Sequence, residues 1–162
     1  MPRILLGLST TSIVFCGAIF GFFYAWVCST MWGLDRADSR VAIAAMQAMN
    51  ASVRNVVFFP AFFLTPVVLG VTAAAAYFRG YNVPACWFAA AAVVYLVFGL
   101  LLTMTVNVPM NEALAATTVP HDVETARIIW QDYSQRWQFW NHVRAMASGI
   151  SLAFASFGLA KL

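Results

Sequence analysis

Gln138 to Ala160 reads QFWNHVRAMASGISLAFASFGLA, and how much of this stretch can lie in hydrocarbon decides the fold. No charge follows Arg144 until Lys161, which leaves the 16 residues from Ala145 to Ala160. At about 1.5 Å per residue those residues cannot cross a hydrocarbon core roughly 30 Å thick. A spanning helix must therefore extend back through Arg144, His142, Asn141, Trp140 and Trp137, carrying polar groups to or inside the membrane edge. The rest of the chain supplies three longer charge-free runs, bounded by Arg3 and Asp35, by Arg54 and Arg79, and by Arg79 and Glu112. Each can cross once, since a transmembrane helix needs about 20 apolar residues. The composition agrees: 62% hydrophobic and 9% charged, against about 25% charged in ordinary soluble domains.

These runs predict an all-α integral membrane four-helix bundle forming one domain over residues 1–162, with spans at about 4–33, 53–78, 84–108 and 138–160. Met-Pro-Arg before the first run looks like a secretory leader, but the run is far longer than a signal h-region, so a retained first span is expected. Phe15 before Cys16 is too bulky for a lipoprotein cleavage site. Asp38 or Ser39 can cap an amphipathic stretch, Val41 to Asn50, leading directly into span two. Arg79-Gly80-Tyr81-Asn82-Val83-Pro84 is a tight turn with Pro84 suited to a helix start. Asp122 can cap a helix over Val123 to Trp140 that continues into span four, so the Val108 to Trp137 connection should be helical and lie over the polar end as a cap. No repeat or low-complexity tract interrupts the chain.

Several functions are disfavoured. Cys16, Cys28 and Cys86 form no C-x-x-C pair, which argues against a disulfide framework or a membrane dithiol oxidoreductase. His121 and His142 are too few for the paired axial ligands of a diheme cytochrome. No carboxylate lies within an apolar run, as a proton-coupled antiporter would need. Nothing points to nucleic acid. The expected partners are membrane lipid and a small aromatic or hydrophobic ligand, with homo-oligomerisation left open, and the expected location is the bacterial inner membrane.

Four spans place the C-terminal ends of spans one and three beside the N-terminal ends of spans two and four, and each brings a polar stripe. On span one, Gly17, Gly21, Tyr24, Cys28 and Met31 share a helical face, with the glycines suited to close helix approach. Gln47, Asn50 and Arg54 share a face ahead of span two, as do Thr103, Asn107 and Asn111 at the end of span three. There, Pro109 leaves the Thr105 carbonyl without its helical donor and should bend the helix. Trp130, Trp137, Asn141, Arg144 and Ser148 share a face of the last helix, flanked by Trp140 and His142. A charge as deep as Arg144 must snorkel, pair or face a polar cavity. Arg54, Asn50, Asn107, Asn111, Asn141, His142 and Arg144, with Tyr24, Trp130 and Trp137, can thus enclose an apolar pocket bearing a few fixed polar groups. Its expected ligand is flat, apolar and oxygen-bearing.

The segments Gly21-Phe-Phe-Tyr24 with Met31, Gln47-Ala-Met-Asn50, Thr105-Val-Asn-Val-Pro-Met-Asn111, and Trp130 through Trp137 to Asn141-His-Val-Arg144 resemble the anthrone oxygenase-like family of small four-helix membrane proteins. The resemblance covers nearly the whole chain. It implies a membrane-embedded oxygenase that acts with O₂ on a flat aromatic or polyketide-like substrate, as some members of the family oxidise polyketide anthrones to anthraquinones. In that reaction His142 would deprotonate the activated CH₂, and Arg144, Arg54 or the asparagines would stabilise the enolate. Removal of His142 would then lower turnover by about 10²- to 10⁴-fold. No cofactor is obligatory, although a single metal at His142, shared with His121, Glu112 or an amide oxygen, is an alternative. The competing reading is a non-catalytic module that binds a lipid, quinone or partner helix. Six basic residues at the polar end against three at the other favour a cytoplasmic polar end, unless Arg54, Arg144 and Arg136 are engaged within the protein.

Overall fold

Two aspartates start helices as their chemistry predicts. The Asp38 carboxylate accepts from the Arg40 N–H at 2.9 Å, and that of Asp122 accepts from the Thr125 N–H at 2.8 Å, each satisfying a first-turn donor that has no partner within its helix. Hydrogen bonds from Arg40 also pull the Asp38 carboxyl down to about 2, so the cap stays ionised until pH falls well below 4. The computed structural model describes residues 2–162. It contains helices α1 (Arg3–Arg36), α2 (Ser39–Ser52), α3 (Phe58–Tyr77), α4 (Asn82–Ala115) and α5 (Val123–Ala160), with no strand among the described residues. All but α2 are long and apolar enough to cross a membrane. The chain is a multi-pass membrane protein built as a four-helix bundle.

The core has two storeys. In the membrane, Cys16, Ile19 and Phe23 of α1 meet Leu69 of α3, Phe88, Ala91 and Tyr95 of α4 and Ala155 of α5. Beyond it, at the polar end, α2 and the first turns of α5 close over the end of α1 through Met31, Ala42, Ile43, Met46, Ala126 and Trp130. The 38 residues of α5 run unbroken through both storeys. A helix of that length spans about 57 Å, so roughly half of it stands outside the hydrocarbon. Asp35 joins the storeys: its carboxylate accepts from Trp130 Nε1 (3.0 Å), Ser134 Oγ (2.6 Å) and Gln138 Nε2 (2.9 Å).

Three boundaries depart from the sequence reading. α2 does not run directly into α3, because residues 53–57 form a turn. There Asn55 Oδ1 accepts from the Val57 and Phe58 N–H groups while its Nδ2 donates to the Ser52 carbonyl, ending one helix and starting the next. α4 does not stop near Val108. The stretch Thr103–Asn107 bonds i→i+5, with the Val108 N–H on the Thr103 carbonyl, and the chain stays helical past Pro109 to Ala115. Finally, the Gly17 to Met31 stripe is not one packed face: Tyr24 and Cys28 are exposed while Met31 is buried. The i→i+5 bonding of Trp26–Thr30 shifts the helical phase within it. Gly17 and Gly21 are not points of close approach, since a Cβ at either would meet nothing within 4 Å. Close approach falls instead at Gly158 of α5, where a Cβ would lie 2.9 Å from the Phe88 ring. Gly80, at φ 80°, makes the expected α3–α4 turn.

Pro66 lies inside α3 and cannot bond the carbonyl four residues back, that of Phe62. In a bilayer such an acceptor must find another donor. Tyr95, fully buried on α4, donates its hydroxyl to it at 2.9 Å. At the polar end Arg54 pairs with Glu112 and Arg136 with Asp132, and Arg144 is buried, so the basic surplus there is engaged within the protein.

Tyr95→Phe should therefore lower stability by about 1–3 kcal/mol, the cost of a buried acceptor left alone, read as a lower thermal midpoint in lipid nanodiscs. Gly158→Ala should cost about 1–3 kcal/mol by forcing the Phe88 ring aside, whereas Gly17→Ala should leave the midpoint nearly unchanged.

Candidate functional site

Where the two storeys meet, the helices enclose a cavity of about 310 Å³. Its apolar wall is aromatic: Phe22, Phe23 and Trp26 from α1, Phe58, Phe59, Phe62 and Phe63 from α3, and Trp137 from α5. The spacing of four that pairs Phe58 with Phe62 and Phe59 with Phe63 gives α3 two adjacent aromatic rows. The polar lining is sparse. It consists of Asn50 of α2, Arg54 in the turn, Thr103, Asn111 and Glu112 of α4, and Asn141 and Arg144 of α5.

Arg144 is the buried charge of the site, only 4% exposed. Its Nη2 donates to Asn141 Oδ1 at 3.0 Å and its Nη1 to Thr103 Oγ1 at 3.4 Å. The guanidinium carbon stands 4.6 Å from the centre of the Phe23 ring and 5.2 Å from that of Trp137. The cation thus meets the negative faces of two aromatic rings. Asn141, 1% exposed, donates its Nδ2 to the Phe23 carbonyl at 3.1 Å, which ties α5 to α1 and turns its oxygen toward Arg144. Nε of Arg144 has no partner, and no carboxylate bridges the residue. An arginine stays protonated in proteins, so the site presents a buried positive charge whose counter-ion is not supplied by the described residues.

Closer to the polar end, Asn111 Oδ1 accepts from Tyr133 Oη at 2.9 Å and from Trp137 Nε1 at 3.0 Å, while Asn50 Nδ2 reaches the same tyrosine hydroxyl at 3.4 Å. This network fixes the Trp137 ring beneath which Arg144 lies. Arg54 and Glu112, each about half exposed, form an ion pair at the polar-end rim of the cavity.

Of the residues singled out from the sequence, Asn50, Arg54, Asn111, Trp137, Asn141 and Arg144 are brought together around the cavity. The other four are not. His142 is exposed, with Nδ1 2.6 Å from the Gln138 carbonyl, because one residue along a helix turns the side chain by about 100° away from Asn141 and Arg144. Tyr24 is turned away from Phe23 for the same reason and stacks on Phe20 at 5.6 Å, half exposed. Trp130 belongs to the upper storey, two turns beyond Trp137, where it serves Asp35. Asn107 is fully buried, but the i→i+5 turn around it breaks the four-residue face it was expected to share, and neither of its amide atoms has a partner. Gln47 is not a solvated face residue, since its Nε2 donates to the Leu114 and Thr117 carbonyls at 2.8 Å and so caps the end of α4. Among the described residues no three His, Cys, Asp or Glu side chains gather as a metal site would require. His121 lies instead in the loop ahead of α5, its carbonyl accepting from Arg40.

The fold and site together define a membrane helical bundle that holds a small aromatic-walled cavity over a buried cation. Residues 53–154 match the profile of the anthrone oxygenase family, and the chain belongs to that family. The match takes in α3, α4 and the part of α5 that carries Asn141 and Arg144. No curated protein and no solved structure matches the chain.

Replacing Asn111 with Leu should strip two donors, the Tyr133 hydroxyl and the Trp137 indole, of their acceptor. The expected loss is about 2 kcal/mol, seen as a lower thermal midpoint together with a change in tryptophan emission, and Asn111→Asp, which keeps an acceptor, should recover most of it.

Proposed function

We propose that the chain is an oxygenase that converts a flat aromatic ketone with an activated CH₂, of the anthrone type, to the corresponding quinone with O₂. The observation that carries this reading is Arg144: a buried, carboxylate-free cation against two aromatic rings in an apolar cavity. Loss of a proton from the CH₂ delocalises negative charge onto the ketone oxygen, and Arg144 is placed to stabilise charge that develops there in a site of low dielectric. Asn141 acts through Arg144 as its positioning residue. Family membership supports the oxygenase chemistry.

The proton acceptor is assigned to Glu112. It is the carboxylate that lines the cavity, whereas His142 lies outside. The carbanion passes one electron to O₂, the resulting radical and superoxide combine at carbon, and one proton completes a hydroperoxide. Elimination of water from it removes the second hydrogen of the CH₂ and breaks the O–O bond, so that CH₂ and O₂ become C=O and H₂O. The protein's part is to hold the ring system between aromatic faces, take up the first proton and stabilise the enolate.

The test is aerobic turnover of anthrone by the purified protein in nanodiscs, followed by the absorbance of anthraquinone. Arg144→Lys should lower kcat by about 10²- to 10³-fold, since an ammonium lacks the planar fork that Asn141 and the aromatic rings hold in place. Glu112→Gln should lower it by about 10²- to 10⁴-fold, and His142→Ala should remain close to the parent. Undiminished turnover in Arg144→Lys and Arg144→Met, at equal folded protein, would overturn the assignment. Retention of anthrone without any oxidation would favour the binding-module reading.

A further inference from the structure

We infer that the cavity takes its ligand sideways from the bilayer, through an opening between α3 and α4 framed by Phe59, Phe63 and Met104. Three observations carry this. These side chains line the cavity and are at the same time 40%, 40% and 45% exposed. On helices long and apolar enough to cross a membrane, these three residues form a wall one side chain thick between the cavity and the surroundings. Second, α3 packs on the earlier, membrane-buried part of α4, whereas Thr103–Asn107 and Val108–Ala115 of α4 pack on α2 and α5 instead. The two helices therefore part at the depth of the cavity. Third, the half-exposed Arg54–Glu112 ion pair lines the cavity at its polar-end rim, so a wholly apolar ring passing there would have to separate two charges.

The consequence is a rule of substrate choice. A ligand admitted this way is dissolved in the membrane, uncharged while it crosses the opening, and flat enough to slide between the Phe63 ring and the Met104 side chain. Met104 suits such a gate because an unbranched thioether shifts among rotamers easily. This deepens the proposed function, and rests on it for the class of ligand, but the route is separable from the chemistry.

The test measures association and release of tritiated anthraquinone by scintillation proximity on the full chain in phosphatidylcholine nanodiscs. Met104→Trp should slow association and release together by about tenfold, within the one to three decades over which such rates vary among variants of one site. Equal slowing of both marks a barrier on the path rather than a lost contact. Phe63→Ala widens the same opening and should speed both rates, which keeps the test decisive if the tryptophan variant does not fold. Ala18→Trp, in the adjoining groove between α1 and α3, which shares Phe22, Trp26 and Phe58 with the cavity and is the rival lateral route, should leave the rates alone. Anthraquinone sulfonate, which stays in water, should not compete. The inference is overturned if both α3–α4 variants bind at parental rates, if Ala18→Trp slows binding instead, or if the sulfonate competes from the aqueous side. Failure of the parent chain to bind anthraquinone overturns the ligand class and the route with it. Binding with the expected rates but without turnover of anthrone leaves the route standing and removes the oxygenase reading.

Discussion

No water is available inside a bilayer to complete a hydrogen bond, and the last apolar run of this chain is too short to keep Asn141 and Arg144 out of it. Much of the site follows from that constraint. Asn141 resolves it for itself by donating to the Phe23 carbonyl, which binds α5 to α1. Arg144 resolves it in part, through Asn141, Thr103 and two aromatic faces. Because partial satisfaction of a buried charge is costly, the aromatic rings and the asparagine must be held rigidly, and the Asn111–Tyr133–Trp137 network provides the rigidity. The same helix then continues into the cap, where Asp35 fixes its upper half to the end of α1. A single continuous helix thus sets both the depth of the cation and the position of the lid above it.

The membrane half uses the same logic at its backbone. Pro66 releases a carbonyl, and Tyr95 returns a donor to it from the neighbouring helix, so a feature that weakens α3 by itself becomes a link between α3 and α4. That link holds the two helices together below the cavity. Above it, the i→i+5 stretch Thr103–Asn107 of α4 and the Asn55 turn redirect the chain, so the helices need not stay parallel and the cavity has room. Residues that would read as helix defects in a soluble protein are here what separates a packed lower bundle from a hollow upper one.

Charge-free runs made the four spans legible, because charge is expensive in hydrocarbon wherever the helix points. The inward face of Arg144 was legible too, from run length and from the polar residues sharing its stripe. The i→i+5 turns were not. They change the phase of a helix without any residue that marks them, and so Asn107, placed by regular spacing, falls elsewhere. His142 was drawn toward the site by its chemistry and by its neighbours in sequence, but adjacency in a helix means divergence in direction. The aromatic wall of Phe58, Phe59, Phe62 and Phe63 carried no signal that separates a cavity from lipid, since both environments accept phenylalanine equally. Tyr95 was detectable in principle: a proline within one apolar run frees an acceptor, and a tyrosine in the middle of the next run carries a donor.

A cavity that is apolar along its path and cationic at its end constrains the ligand in two stages, if the proposed route and chemistry hold. An anion cannot be drawn through hydrocarbon without giving up its hydration, so the ligand must arrive neutral. Beside Arg144 the balance reverses, because a positive charge a few ångströms away in a low dielectric favours the ionised form of an acid. The ligand class that satisfies both stages is a weak carbon or oxygen acid whose proton is retained in the membrane and lost in the site. Such a site couples location to reactivity: the electron-rich anion that reacts with O₂ exists only where the guanidinium is, and the same molecule remains neutral and unreactive while it is dissolved in the bilayer.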